Sequence, residues 1–170
     1  FVVLISCQEE QNTLFTSLSS NQTNIDFANI FEETEALNIN EYLYAYNGGG
    51  VAIGDINNDG LPDIYFTANQ LANRLYLNQG DFQFKDITES AGVAGLFGED
   101  KWTTGAAMAD VNDDGWLDIY VSQVSGYKQL NGRNQLFINN GDLTFTEQAA
   151  EFGLDVSGYA QQVAFFDYDL

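Results

Sequence analysis

Oxygen-bearing side chains occupy the first, third, fifth and ninth positions of Asp55-Ile56-Asn57-Asn58-Asp59-Gly60-Leu61-Pro62-Asp63, with a glycine at the sixth. The pattern returns as Asp110-Val111-Asn112-Asp113-Asp114-Gly115-Trp116-Leu117-Asp118, and a third copy opens at Asp167-Tyr168-Asp169 just before Leu170. Hard-cation chemistry suits such loops, because calcium takes roughly six to eight oxygens from carboxylates, amides, carbonyls and water. Asp55, Asn57, Asp59 and Asp63 would supply side-chain oxygens and Leu61 its carbonyl. Asp110, Asn112, Asp114 and Asp118, with the carbonyl of Trp116, repeat the set, and Asp167 and Asp169 begin it again. The glycine permits the sharp turn that alternate ligands require. An EF-hand would place a bidentate Glu at position twelve and a helix on either side. Position twelve is Phe66 in one copy and Val121 in the other, both inside runs that read as strands, so ligation ends at position nine. The competing reading is an Asx-rich turn that needs no ion. Recurrence at one period and between the same flanking strands favours the ion, and calcium over magnesium, which retains more of its water.

Other chemistry is largely excluded. There is no histidine, so no imidazole base, Ser-His-Asp triad or HExxH site can be built from these residues. A single cysteine excludes an internal disulfide and multi-cysteine metal sites. Lys+Arg 5 against Asp+Glu 25 gives a net charge of −20, which repels nucleic acid. Aromatics at 14% and short patterned apolar runs point to a folded acidic domain. The stretch Asn47 to Gly54 lacks phosphate-loop spacing and reads as close strand packing near a propeller axis. Tyr42, Tyr44, Tyr46, Tyr65 and Tyr76 read as half-buried strand residues rather than a sugar-stacking surface, and no acid pair stands out for glycoside chemistry.

Short strands must position the loops. Val51-Ala52-Ile53 leads into the first loop and Ile64-Tyr65-Phe66-Thr67 leaves it. Asn73 to Asn78 and Phe82 to Ile87 around a Gly80 turn predict a hairpin. The sequence repeats from Gly105, with loop spacings of 110 − 55 = 55 and 167 − 110 = 57 residues. About four strands per period of this length predict an all-β fold, a partial β-propeller of about two blades plus the start of a third. This region is taken as 41–170. Before it, 8–40 reads as a polar linker with a short strand at Ile25-Asp26-Phe27, followed by a helical turn from Phe31 to Leu37. Residues 1–7 end in Leu4-Ile5-Ser6-Cys7, which looks like a lipoprotein signal-peptide remnant with its lipobox, making Cys7 the lipidated residue and membrane anchor.

Gly50 to Asp63 resembles the FG-GAP (VCBS-type) repeat of integrin α-subunit propellers and bacterial surface proteins. Asn73 to Asn78, Asp86-Ile87-Thr88 and Ala91-Gly92-Val93 extend the resemblance to bacterial proteins that join such repeats to an ASPIC/UnbV domain, relatives of cartilage acidic protein. The resemblance implies calcium in the loops and blades in a propeller, with the chain as an N-terminal fragment. The resulting expectation is a non-enzymatic, calcium-binding module of a cell-envelope lipoprotein, at the outer membrane or surface of a Gram-negative bacterium. It would bind a protein or glycan. The alternative is the N-terminal part of a propeller-based polysaccharide lyase or hydrolase.

Overall fold

The structure, a computed structural model, describes residues 14–167. Cys7 with its lipobox, and Asp169 in the third loop copy, lie outside the described residues. Four short strands follow one another as an antiparallel meander, β1 (Val51–Gly54), β2 (Asp63–Phe66), β3 (Arg74–Asn78) and β4 (Phe84–Asp86), in the order β1-β2-β3-β4. β-Branched or aromatic residues recur in each of them, and turn residues separate them. The predicted hairpin is β3 and β4, whose register pairs Leu77 with Lys85. A four-residue helical turn, Thr88–Ala91, follows and ends on Gly92 in the left-handed conformation.

The second sheet repeats this plan with β5 (Thr103–Ala109), β6 (Asp118–Gln123), β9 (Gln135–Asn139) and β10 (Phe145–Glu147). Between β6 and β9 it inserts a small hairpin of β7 (Ser125–Tyr127) and β8 (Leu130–Asn131). The insertion is visible as spacing, since Asn73 follows Asp55 by 18 residues while Asn134 follows Asp110 by 24. The architecture is therefore all-β, built of two blade-like four-stranded antiparallel sheets.

The sheets pack face to face. Ala52, Ile56, Tyr65, Leu75 and Val93 from the first meet Ala106, Ile119, Val121 and Phe137 from the second in one buried cluster. Close approach at the strands nearest this contact explains two glycines. A Cβ on Gly50 would lie 2.8 Å from the Thr104 carbonyl oxygen, and one on Gly105 would lie 2.8 Å from that of Gln161. Gly105 thus stands to the 161–162 segment as Gly50 stands to β5, which supports close packing as the role of this glycine stretch. Val163 carries the stacking further by packing on the opposite face of the second sheet, against Tyr120, Leu136 and Ile138.

Three expectations before residue 51 are corrected. Ile25-Asp26-Phe27 forms no strand; it is held by side chains, with Phe27 stacked on Phe66 at 4.9 Å and Asp26 accepting a hydrogen bond from Tyr76. Phe31 to Leu37 is not helical. Thr34 closes a tight turn there, accepting the Leu37 N–H on its hydroxyl while its own N–H donates to Leu37, and this local bonding competes with a helix. Tyr42, Tyr44 and Tyr46 lie in turns stitched by bonds such as Ala45 N–H to Tyr42 and Asn47 N–H to Tyr44. Tyr42 is buried while Tyr44 and Tyr46 are exposed, and the strand tyrosines Tyr65 and Tyr76 are fully buried, not half-buried. The polar linker also contains one helical turn, Ser20–Thr23, where the Ser19 N–H donates to Gln22.

The segment from Phe31 to Tyr46 docks on the inserted hairpin. Leu37, Tyr42 and Ala45 share a buried cluster with Trp102, Val124 and Leu130. The Tyr127 hydroxyl donates to the Glu41 carbonyl, and Lys128 pairs with the Glu41 carboxylate. Among the described residues, no helix is long and apolar enough to cross a membrane.

Candidate metal loops

The two Asp loops fold alike because the same atoms close them. Asp55 accepts N–H bonds from Asp59 (3.1 Å) and Gly60 (2.7 Å), and Asp110 accepts them from Asp114 (3.1 Å) and Gly115 (2.8 Å). Asp59 and Asp114 turn back to accept the N–H of Leu61 and Trp116 respectively. The amides of Asn57 and Asn112 donate to Asp59 and Asp114. Gly60 and Gly115 adopt φ of +85° and +89°, where a side chain would be strained.

Position nine does something the spacing does not show. Asp63 is fully buried; its two oxygens accept the Ile56 N–H at 3.0 Å and the Asn78 N–H at 2.7 Å. Asp118 does the same with Val111 (2.9 Å) and Asn139 (2.8 Å). Each carboxylate therefore clips the start of its loop to the end of the sheet's third strand. Burial is the main cause that pushes both carboxyls above the usual range, with neighbouring loop aspartates adding to it and the backbone bonds opposing it.

Asn78 and Asn139 were not singled out from the sequence. Their side chains accept N–H bonds from Gly80 and Gly141 and donate to the carbonyls of Pro62 and Leu117. The signal was the repeated Asn-x-Gly after the third strand. Asn139 also donates to the Ile56 carbonyl in the first loop at 2.8 Å, and Asn58 donates to the Gly115 carbonyl in the second at 3.1 Å. The loops are thus bonded across the sheet contact in both directions. A second repeated network, also missed, runs from Asn73 to the Tyr65 hydroxyl to the Val93 carbonyl, and from Asn134 to Tyr120 to Leu154. Burial raises the Tyr65 phenol well above its ordinary value.

The donors fit a hard cation in type: each loop offers three carboxylates, an amide oxygen and a carbonyl within nine residues. In the first loop the Asn57 Oδ1 is buried without a hydrogen-bond partner, whereas Asn112 Oδ1 accepts the Asp114 N–H at 3.2 Å. A buried orphan oxygen costs about 1–3 kcal/mol unless a donor or a cation meets it. Each carboxylate oxygen that accepts one N–H also keeps a second lone pair. Among the described residues, no three or more acidic side chains are gathered closely enough to hold an ion as they stand. Leu61 and Trp116 sit half-buried at position seven. Of the third copy only Asp167 is described, and it is exposed and outside any strand; the first two loops are brought together.

Two strand-flanked Asp loops, one per sheet and locked by one buried aspartate each, are a repeat in three dimensions as well as in sequence. Residues 55–121 match the FG-GAP-like repeat. That stretch runs from the first loop through the end of the second and into β6. The chain is also similar to cartilage acidic protein 1, at 35% identity over 113 residues for the Xenopus tropicalis protein and 33% over 109 for the Homo sapiens protein. These alignments cover 64% and 62% of this chain but 16% and 15% of those proteins. Integrin alpha-8 of Gallus gallus is 32% identical over 116 residues, covering 59% of this chain and 10% of that protein. The chain therefore spans less than a fifth of the length of the curated relatives it matches.

Proposed function

We propose that this chain is a calcium-stabilised stretch of β-propeller that works as a binding module for a protein or glycan and performs no catalysis. The observation that carries the reading is the Asn57 Oδ1, buried and unpartnered inside a loop of carboxylates whose design is repeated in the second sheet. Asp55, Asn57, Asp59 and Asp63, with the Leu61 carbonyl, would hold one ion. Asp110, Asn112, Asp114 and Asp118, with the Trp116 carbonyl, would hold another, and Asp167 with Asp169 would begin a third site. A bound cation would offset the like charge in each loop. The chain's residues do the rest: Asp63 and Asp118 fix the loop ends, and Asn58 and Asn139 tie one loop to the other.

The integrin relative and the FG-GAP-like repeat support a protein-binding role. We further propose that Cys7 carries a lipid anchor, placing the module on the bacterial cell envelope. Melting measured with calcium and then with a chelator tests the metal reading. Calcium should raise the midpoint by several degrees, with an affinity of about 10⁻⁴–10⁻³ M, as in extracellular modules. An unchanged midpoint would sink it. Mass spectrometry of the processed protein tests the anchor, which fails if Cys7 carries no acyl chain.

A further inference from the structure

A groove runs between the docked N-terminal segment and the loops at one end of the two sheets. Its larger part, about 790 Å³, is bordered by Ile30, Glu32, Glu35, Ala36, Leu71 and Glu99. A second hollow of about 230 Å³ is also bordered by Ile30 and Leu71 and by Arg74, so the two adjoin at an apolar sill. Ile30 is 59% exposed and Leu71 43%, and both border the two hollows.

The walls are built. Asn29 and Asn69 bond reciprocally, Asn29 Nδ2 to Asn69 Oδ1 at 2.7 Å and the Asn69 N–H to Asn29 Oδ1 at 3.0 Å. The Gly98 N–H donates to the Gln70 carbonyl at 2.9 Å, joining the two sheet loops that form the opposite wall. Lys128 holds the far end through the Ala36 carbonyl at 3.2 Å. Such fixing lowers the ordering cost of binding. The larger hollow is acidic, and the cations nearest its two ends, Arg74 and Lys128, are paired with Asp86 and Glu41. Among the described residues the ion pairs use Asp86, Asp100, Glu41 and Asp155, which leaves Glu32, Glu35 and Glu99 outside any of them.

We propose that this groove docks an extended basic segment of a protein partner. Arginine or lysine heads would meet Glu32, Glu35 and Glu99, while their aliphatic stems and intervening apolar residues would lie on Ile30 and Leu71. Two adjoining hollows either side of an apolar sill suit successive side chains of one segment, and carboxylates outside any ion pair beside apolar surface are complementary to that chemistry. The proposal rests on the protein-binding part of the function proposed above.

The test is fluorescence anisotropy on the full chain with a labelled seven-residue peptide alternating arginine and leucine. Its counterpart carries glutamate for each arginine. The arginine peptide should bind and the glutamate peptide should not. E32Q/E35Q/E99Q should weaken binding about tenfold or more, and Leu71→Ser by a smaller factor, with unchanged melting because these side chains are exposed. The control D81N/E89Q/E151Q removes equal charge from exposed sites outside the groove and should stay within about twofold. Equal weakening by the control triple would overturn the proposal, leaving only diffuse attraction to an acidic surface. So would equal binding of both peptides, or displacement of the arginine peptide by an uncharged oligosaccharide. If the peptide fails to bind while calcium still shifts the melting midpoint, the groove alone is refuted and the metal reading stands.

Discussion

The two sheets carry nearly the same second strand, Asp63-Ile64-Tyr65-Phe66 and Asp118-Ile119-Tyr120-Val121, yet they bury it differently. In the first sheet β2 alternates between buried and half-buried positions, while in the second all of β6 is buried. Sequence alternation does not account for this, because the first three residues are identical and Phe66 and Val121 are both apolar. Neighbours do. The second sheet has the first on one side and Val163 on the other. The first has its sister on one face, and on the other Phe27 stacked on Phe66 and Asp26 bonded to Tyr76, which leave Val51 and Ile53 53% and 65% exposed. The equivalents Ala106 and Met108 face the first sheet. A blade of this kind presents two unlike apolar faces, and the face turned outward in one copy is the face turned inward in the next.

The largest test of that comparison strips the buried clips. Asp118→Ala leaves the Val111 and Asn139 N–H groups without their partner, and Asp63→Ala does the same to Ile56 and Asn78. Two charge-assisted bonds at about 1.5–3 kcal/mol each set the scale at roughly 3–6 kcal/mol. Denaturant melts should show the greater loss for Asp118→Ala, because it sits in the sheet covered on both faces. Equal losses would mean that the second cover contributes nothing.

Glycine contact comes next. Gly50→Ala and Gly105→Ala each force a Cβ to within 2.8 Å of backbone oxygen, and overpacking of this kind costs about 1–3 kcal/mol. Gly50→Ala meets β5, a paired strand, and Gly105→Ala meets the unpaired 161–162 stretch. The second should therefore be cheaper, since its obstacle can yield. A costlier Gly105→Ala in thermal melts would show that 161–162 is held as firmly as a strand.

Acidity reads the same clips. A carboxyl whose pKa is higher folded than unfolded takes up a proton on folding between those two values. Its contribution therefore favours the fold below the unfolded value and is lost as pH rises through the folded one. Asp63 and Asp118 are both raised in this way, chiefly by burial. In chelator, the melting midpoint should rise as pH is lowered from neutral toward about 5. D63N/D118N should flatten that slope even though the lost bonds lower the midpoint at every pH. A slope as steep as that of the unaltered protein would place its origin in the remaining acids.

The smallest effect concerns the link between loops. Asn58→Ala removes one bond of about 0.5–1.5 kcal/mol at the surface. With the strain alanine meets at φ +57°, it should lower the melting midpoint by several degrees at most, yet make calcium titrations less steep if the loops load together. An unaltered titration would assign all loop-to-loop communication to Asn139.

Much of this was legible in one dimension. The Asp loops, the strands on either side, the hairpin at Gly80 and the repeat that makes two sheets are written as local periodicity and turn chemistry, which short-range sterics enforce. Asp63 and Asp118 were legible as the ninth residues of repeated loops but not as clips, because N–H groups they accept belong to Asn78 and Asn139, on a different strand. The segment before residue 51 was the least legible. Its polar, aperiodic composition leaves local propensity without a preference, and the strand expected at Ile25 to Phe27 and the helical turn from Phe31 gave way to side-chain anchors.

From the sequence alone came the kind of element, the repeat and the donor chemistry of the loops, all set by residues a few positions apart. Tertiary structure decided which face of each sheet is covered, which carboxylate is buried and how one loop touches the next. It also decided that the inserted hairpin holds the N-terminal segment against the sheets to form a groove. Those outcomes depend on contacts such as Asn58 with Gly115 and Tyr127 with Glu41, whose partners are far apart along the chain. The ordering cost of such contacts is met by burial elsewhere in the fold, so no local pattern records them.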